Sequence, residues 1–437
     1  MSFSSFYAGL SGLQANADDL SVIGNNLANV NTVAFKGSRM TFEDIFSMTG
    51  AGAGVNGAGN PQQVGLGVQT ASIDQMFSQG SLQTTGLVTD VAIQGGGFFM
   101  LAEPAGGLAY TRAGNFSFDK DGNLVTPGGQ FVQGYTQRLA NGTIAPSGPI
   151  SNIQVPVGLT APPQATSFIN VLMNLNASAK VDDPATPQNE AEAFSTTVTI
   201  FDSLGAQHDL TLNFTPVDTN ADGHLDQWNY AATVNGAEVT GGTAGTPFSV
   251  GTGTITFGPN GQLTAPGANV TLAIPGWSNN ASAQNVNWQL FDPTTGAGQV
   301  TGFDGASATS SANQDGYGVG RLQTLTIGAD GLISGVFSNG VTLQMARFAM
   351  AVFNNPNGLL KNGQNSFLET NGSGVATIGT ANTGGRGQIS ASTLELSNVD
   401  VTEELTNLII SERGYQANSR TITTTDQIMQ EALNLKR

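Results

Sequence analysis

The chain has no cysteine, which excludes disulfide staples, thiol nucleophiles and thiolate metal sites. Charge is scarce as well: 10% of the 437 residues are Asp, Glu, Lys or Arg, against about a quarter in ordinary globular domains. Basic residues are the scarcer sign, 14 against 31 acidic, for a net charge of −17. The basic footprint that nucleic acid requires is therefore missing, and no nucleic-acid partner is expected. No apolar run reaches the 18 or so residues of a membrane-spanning helix, so no membrane insertion is expected. The first residues have no basic stretch leading into a continuous apolar one, and a cleavable signal peptide is not expected either. That leaves the cytosol as the default location, unless export uses a route without a cleaved signal.

What the chain has in place of charge is glycine, 58 residues of it, with Ser, Thr, Asn and Gln. From Val68 the apolar residues alternate, and strands are expected at 68–73, 91–93, 97–101, 116–118, 124–125 and 131–135. Asp121-Gly122-Asn123-Leu124 is a hairpin turn, because type I′ turns need φ > 0. Similar Asx-Gly pairs recur at Asn141, Asn235, Asn260, Asp330, Asn339, Asn357 and Asn362. A central block differs in composition. Between Leu139 and Gly320 Lys180 is the sole Lys or Arg, against thirteen Asp and Glu, and all three tryptophans, Trp228, Trp277 and Trp288, lie there. This block reads as a β domain inserted into a first β domain.

The two ends are helical. Val401, Leu408, Tyr415, Ile422 and Met429 recur every seventh residue, with Leu405 between them, and steps of three and four link Phe6, Leu10, Leu13, Ala17, Leu20, Gly24 and Leu27. Each pattern draws an apolar seam along a long helix. Asn398 or Asp400 is placed to cap the second helix, and Glu403 and Glu404 suit its N-terminal dipole. Glycines at 9, 12 and 24 favour close helix approach at about 1 kcal/mol each against Ala. The seams fit either a two-helix coil that ties the termini together or helices that order fully against neighbouring copies.

The expected fold is mainly β with a terminal α-helical coiled-coil region: nested antiparallel β domains between long N- and C-terminal helices. The expected domains are 1–48 plus 390–437 (helical), linkers 49–67 and 372–389, a discontinuous β body 68–163 plus 312–371, and an inserted outer β domain 164–311.

Three groups of motifs now carry a family likeness. They are Leu10-Ser-Gly-Leu-Gln-Ala15 with Asn25-Asn-Leu-Ala-Asn29 and Thr32-Val-Ala-Phe-Lys36; Ile93-Gln-Gly-Gly-Gly-Phe-Phe99 with Tyr110-Thr-Arg-Ala-Gly-Asn-Phe116 and Asp121-Gly-Asn-Leu-Val125; and Leu394-Glu-Leu-Ser-Asn-Val-Asp-Val401 with Glu412-Arg-Gly-Tyr-Gln-Ala-Asn418. Together they resemble the bacterial flagellar rod and hook axial proteins. The large insert is like that of the hook branch; the distal rod type resembles the same ends but is shorter. The resemblance implies a structural subunit that polymerises into a flexible helical tube, a universal joint passing torque from rod to filament. On the apolar seams, Phe6, Leu10, Leu13, Leu20, Leu27, Leu405, Leu408, Tyr415, Ile422 and Met429 are the expected self-assembly interface. The partners implied by the resemblance are copies of the chain itself, flagellar rod, hook cap, hook–filament junction proteins and the flagellar export apparatus, with the mature protein in the extracellular hook. A distal rod-type protein is one alternative. A surface glycan-binding adhesin, with tryptophans stacked on sugars, is another.

No catalytic residue, cofactor site or metal site is expected. Asp218, Asn220, Asp222 and Asp226 have the spacing of half a calcium loop, but position twelve is Asn229 rather than Glu. An Asx-rich turn is the other reading. His208 and His224 lack any partner motif and are expected to be solvated loop residues. The glycines of Gln94-Gly-Gly-Gly-Phe98 lack the helix and Lys of a phosphate loop and are assigned to close backbone packing.

Overall fold

The computed structural model describes residues 4–46, 48–49, 63–104, 106–139, 142–156, 158–182, 191–219, 225 and 227–434. Among the described residues two long helices bracket a chain rich in strands: α1, Ser4–Ala28, and α2, Val401–Asn434. Asp400 starts α2 by accepting the amides of Thr402 at 2.7 Å and Glu403 at 3.3 Å, satisfying two donors that have no partner inside the helix. After α1 the chain turns back at Ala34, a buried residue held at φ 55°.

The chain divides into two compact units. The first holds residues 1–157, 324–335 and 343–437. Its sheet runs antiparallel through Phe131–Tyr135, Phe98–Ala102, Leu108–Thr111, Ser366–Leu368 and Leu360–Gly363. Both faces of Phe98–Ala102 are covered, so the strand is continuously apolar. Phe99 and Leu101 join a core with Val91, Ile93, Phe116 and Phe348, while Phe98 and Met100 face a second with Tyr110, Phe353 and Phe367. A hairpin forms, Ser117–Phe118 pairing with Leu124–Val125, but its turn is not type I′: of Asp121-Gly122 the glycine alone has positive φ, 81°. The predicted packing role of the Gly95–Gly97 run also appears. Gly95 sits at φ 110°, and a Cβ there would lie 3.1 Å from the Gly387 Cα.

Residues 372–389 differ from a linker. Thr377–Gly379 pairs with Met350–Val352, and Gln388–Ala391 with Val91–Gln94. Ala381 and Ile389 enter the core. A run rich in Gly, Thr and Ser has few large side chains, yet it supplies backbone edges and small groups that a sheet can use. The other expected linker, 49–67, lies mostly outside the described residues.

The second unit holds residues 158–323 and 336–342. One antiparallel sheet runs Phe194–Phe201, Gln207–Val217, Gln227–Asn235, Pro247–Phe257 and Leu263–Ala265. In the other, Phe168–Asn174 pairs antiparallel with Ala308–Gln314 but parallel with Gln284–Gln289 and Val300–Thr301. Parallel neighbours are possible because over a hundred residues separate these strands, ample for a crossover. The core contains all three tryptophans, none more than 1% exposed. They are packing residues, and their burial counts against the alternative in which they stack on sugars.

The histidine expectation is also corrected at His208. It sits on the strand Gln207–Val217, buried, with its ring stacked on Trp277 at 3.6 Å between centroids. Its Nδ1 is 2.6 Å from Glu238 Oε2 and its Nε2 is 3.1 Å from Asp202 Oδ2. Asp202, six residues before it, and Glu238, thirty after it, hold it, and the second of these contacts is one that no local motif could reveal. His224 lies outside the described residues.

Candidate functional site

α1 and α2 run antiparallel in one register: residues 12, 16, 19 and 26 of α1 meet 418, 414, 411 and 404 of α2. Size complementarity sets the middle of the seam. A Cβ on Gly12 would fall 2.6 Å from Asn418 Nδ2, and a Cβ on Gly414 would fall 2.6 Å from Asn16 Oδ1. Each asparagine fills the space its opposite glycine leaves. Farther along, the Ser411 hydroxyl donates to Asp19 Oδ2.

At the far end Asn26 is 1% exposed and its amide is fully engaged. Nδ2 donates to Glu404 Oε1 at 2.9 Å and to the Ser38 carbonyl at 2.7 Å, and Oδ1 accepts the Ser38 amide at 2.9 Å. An asparagine amide has two donor hydrogens, and both are used. Burial pushes the Glu404 carboxyl above the ordinary carboxylate range; the Asn26 bond opposes this, and Glu403 and Asp19 add to it.

The middle of the helix contact is thus made by small and polar residues, while several large apolar ones stay half-buried or exposed. Of the ten residues expected in the seams, Leu10, Leu405 and Tyr415 are 42%, 45% and 37% exposed. Phe6, Leu13, Leu20, Leu27, Leu408, Ile422 and Met429 are half-buried. Ile422 reaches across the pair, its Cγ1 3.4 Å from where a Gly9 Cβ would stand. Val401, Ile409, Ile410 and Ile428 add to the exposed apolar surface of α2. Beside the seam a groove of about 360 Å³ is lined by Asn16, Ile23, Met40, Phe42, Asn407 and Ile410.

A buried ionic clasp joins both termini to the β body. Lys36 Nζ lies 2.6 Å from Glu395 Oε1 and donates to the Ser78 carbonyl at 2.7 Å. Arg112 Nη1 reaches Glu395 Oε2 at 3.5 Å, and its Nη2 donates to the Gly95 carbonyl at 2.7 Å. The Gly80 amide donates to Glu395 Oε1 at 2.9 Å. Asn398 continues the clasp, accepting the Gly37 amide at 2.9 Å and donating to the Met76 carbonyl at 2.6 Å. Burial pushes Lys36 below its ordinary range, Glu395 pulls it back up, and Arg112 lowers it further.

Sequence reasoning missed Asn26, Arg112, Glu395 and Glu404 as contact residues. A signal existed for Lys36 and Arg112, since each is a cation within an apolar and glycine-rich stretch of a chain poor in cations. Of the calcium-loop candidates, Asn220, Asp222 and Asp226 lie outside the described residues. Among the described residues no group of His, Asp and Glu is placed to hold a metal, and no helix is long and apolar enough to cross a membrane.

Comparison with known proteins gives matches along most of the chain. Family models match as "Flagella basal body rod protein" over residues 6–36 and "Flagellar hook protein FlgE/F/G D1 domain" over 92–169. "Flagellar basal body protein FlaE D2 domain" matches over 174–317, and "Flagellar basal body rod FlgEFG protein C-terminal" over 390–435. The flagellar hook protein FlgE of Treponema pallidum is 37% identical, with 99% of each chain covered. That of Salmonella typhimurium is 35% identical over 99% of this chain and 100% of its own. Among solved structures, the Helicobacter pylori flagellar hook protein FlgE2 superposes with a TM-score of 0.51 at 17% identity, covering 72% of this chain and 100% of that one. That last likeness is one of fold.

Proposed function

The chain belongs to the flagellar hook protein family, and from that premise we propose how this subunit of the hook is built to polymerise. The hook is a flexible tube between rod and filament, and its subunits assemble with copies of themselves. The observation that carries the reading is the division of labour on the helix pair. Glycines, asparagines and acids face inward, while Leu10, Leu405 and Tyr415 stay exposed. Apolar stripes left open on paired helices are suited to burial against further helices. The surface formed by Phe6, Leu10, Leu13, Leu20, Leu27, Leu405, Leu408, Tyr415, Ile422 and Met429 is accordingly the self-assembly interface, with the terminal helices lining the inner tube.

The inserted β domain, residues 164–311, is the outer domain in this reading, and in the chain it interrupts the β body of 68–163 and 312–371. In this reading its finer partners are rod proteins below, junction proteins above, a hook cap at the growing end and the flagellar export apparatus. The subunit's role is structural, and its location is the flagellar hook.

The reading is tested by negative-stain microscopy of purified protein at rising concentration and salt. Curved tubes are expected from the parent chain. Leu10→Asp and Leu405→Asp should abolish tubes while leaving the monomer melt nearly unchanged, since exposed substitutions shift stability by about 0.5 kcal/mol or less. Variants that polymerise like the parent would refute this interface.

A further inference from the structure

The polar contacts of the helix pair recur at a fixed interval. Asp19 and Asn26 are one heptad apart on α1, and their partners Ser411 and Glu404 are one heptad apart on α2. Apolar residues on both helices recur in steps of three and four, so hydrophobic burial alone would tolerate a slip of one heptad, about 10 Å at 1.5 Å per residue. The seam does not tolerate it. A heptad slip in one direction sets Asp19 opposite Glu404, two acids in a buried seam, and sets Asn16 opposite Asn407 where no glycine receives it. A slip in the other direction sets Gly12 opposite Thr425 and carries Glu404 beyond the end of α1, which stops at Ala28. Opposed like charges and orphaned buried acids both disfavour a wrong pairing.

We propose that Asn26–Glu404 and Asp19–Ser411 are positioning pairs that fix the register of α1 against α2. The first pair does more than align two helices. Through its two bonds to Ser38, Asn26 ties the register to the strand Ser38–Asp44. Lys36, two residues before Ser38, is held in turn by Glu395. The helix pair is thereby set at one height relative to the β body. In the hook, which rests on the function proposed above, this height fixes where Leu10 stands relative to Leu405 and Tyr415 when neighbouring copies meet them. The register itself is a property of the single chain and is measured before any polymer forms.

The absence of cysteine makes disulfide trapping clean. A Gly9→Cys, Thr421→Cys pair reports the observed register, since a Gly9 Cβ would lie 3.6 Å from Thr421 Cγ2. An Asn16→Cys, Asn407→Cys pair reports the slip that opposes residues 19 and 404, and lies too far apart to close in the observed register. In the otherwise parental chain the first pair should close and the second stay open. Adding Asp19→Ala with Glu404→Leu, which turns the forbidden opposition apolar, should raise the yield of the second pair relative to the first about tenfold or more, the factor for losing a charge-assisted hydrogen bond. Glu404→Gln keeps an oxygen for Asn26 and should hold the parental register. Far-UV circular dichroism checks that the helices remain. If the double variant loses them, Glu404→Leu alone, which spares the Asn26–Ser38 bonds, is read the same way. A slip pair that stays open in a helical variant overturns the proposal, as does Glu404→Gln slipping like Glu404→Leu. Failure to form tubes with the register intact would instead refute the function proposed above.

Discussion

Lys36 and Glu395, near opposite ends of the chain, meet with their charged atoms 2.6 Å apart and neither side chain exposed. A buried pair is weak evidence of net stabilisation, because desolvation offsets much of the attraction, but removing one partner is costly. The two removals are not equivalent here. Glu395→Gln leaves two cations, Lys36 and Arg112, with carbonyl partners only, and should cost about 3–5 kcal/mol. Lys36→Met leaves Glu395 with Arg112 and the Gly80 amide, and should cost clearly less. Hydrogen exchange at 91–101, in the first unit's core, measures both. Equal losses would mean that packing rather than orphaned charge governs the clasp.

Glu404 gives the helix pair a pH dependence of calculable sign. Burial raises its carboxyl above the ordinary 4.5, so the folded chain binds this proton more tightly than the unfolded one. The cost of keeping Glu404 ionised is therefore fully present above its raised value. It is relieved as pH falls through that value toward 4.5. Protection of α1 and α2 amides from exchange, taken as the parent minus the Glu404→Gln variant, should increase over that window. A difference that stays flat, or falls with acid, would contradict the assignment.

Much of the architecture is legible in the sequence because it depends on local rules. The Asp121-Gly122 hairpin follows from backbone geometry, and the Asp400 cap from short-range hydrogen bonding. Alternation marked Phe131–Tyr135 and Leu124–Val125 residue for residue. The helix seam was legible as periodicity but not in which side chains fill it. Heptads of Leu and Val predict apolar contacts, whereas this seam uses Gly12 against Asn418 and Asn16 against Gly414. Such a fit is visible only when both helices are placed. The Lys36–Glu395 pair and the contacts of His208 with Glu238 and Trp277 are illegible for the same reason: each joins residues far apart in the chain that the fold brings together. Residues 372–389 misled in the opposite sense, since small residues resemble a linker even where their backbone completes a sheet.

The second unit offers a test that needs no dissection of the chain, because all three tryptophans lie in its core and their fluorescence follows that unit alone. His208 packs on Trp277 and contacts Asp202 and Glu238. Burial pushes Asp202 upward, but bonds from Asn279, His208 and the amides of Ala206 and Leu204 hold its carboxyl below the usual value. A lowered carboxylate contributes stability above its unfolded value, lost as pH falls through the folded one. His208→Ala removes the ring and one of those bonds, and should cost about 2–4 kcal/mol at neutral pH. The Asp202 share of that cost should fade as the carboxyl protonates. In fluorescence-monitored melts, the gap between parent and variant should therefore narrow below about pH 4, the ordinary aspartate range. A gap of constant size down to low pH would leave the stacking on Trp277 as the whole contribution of His208.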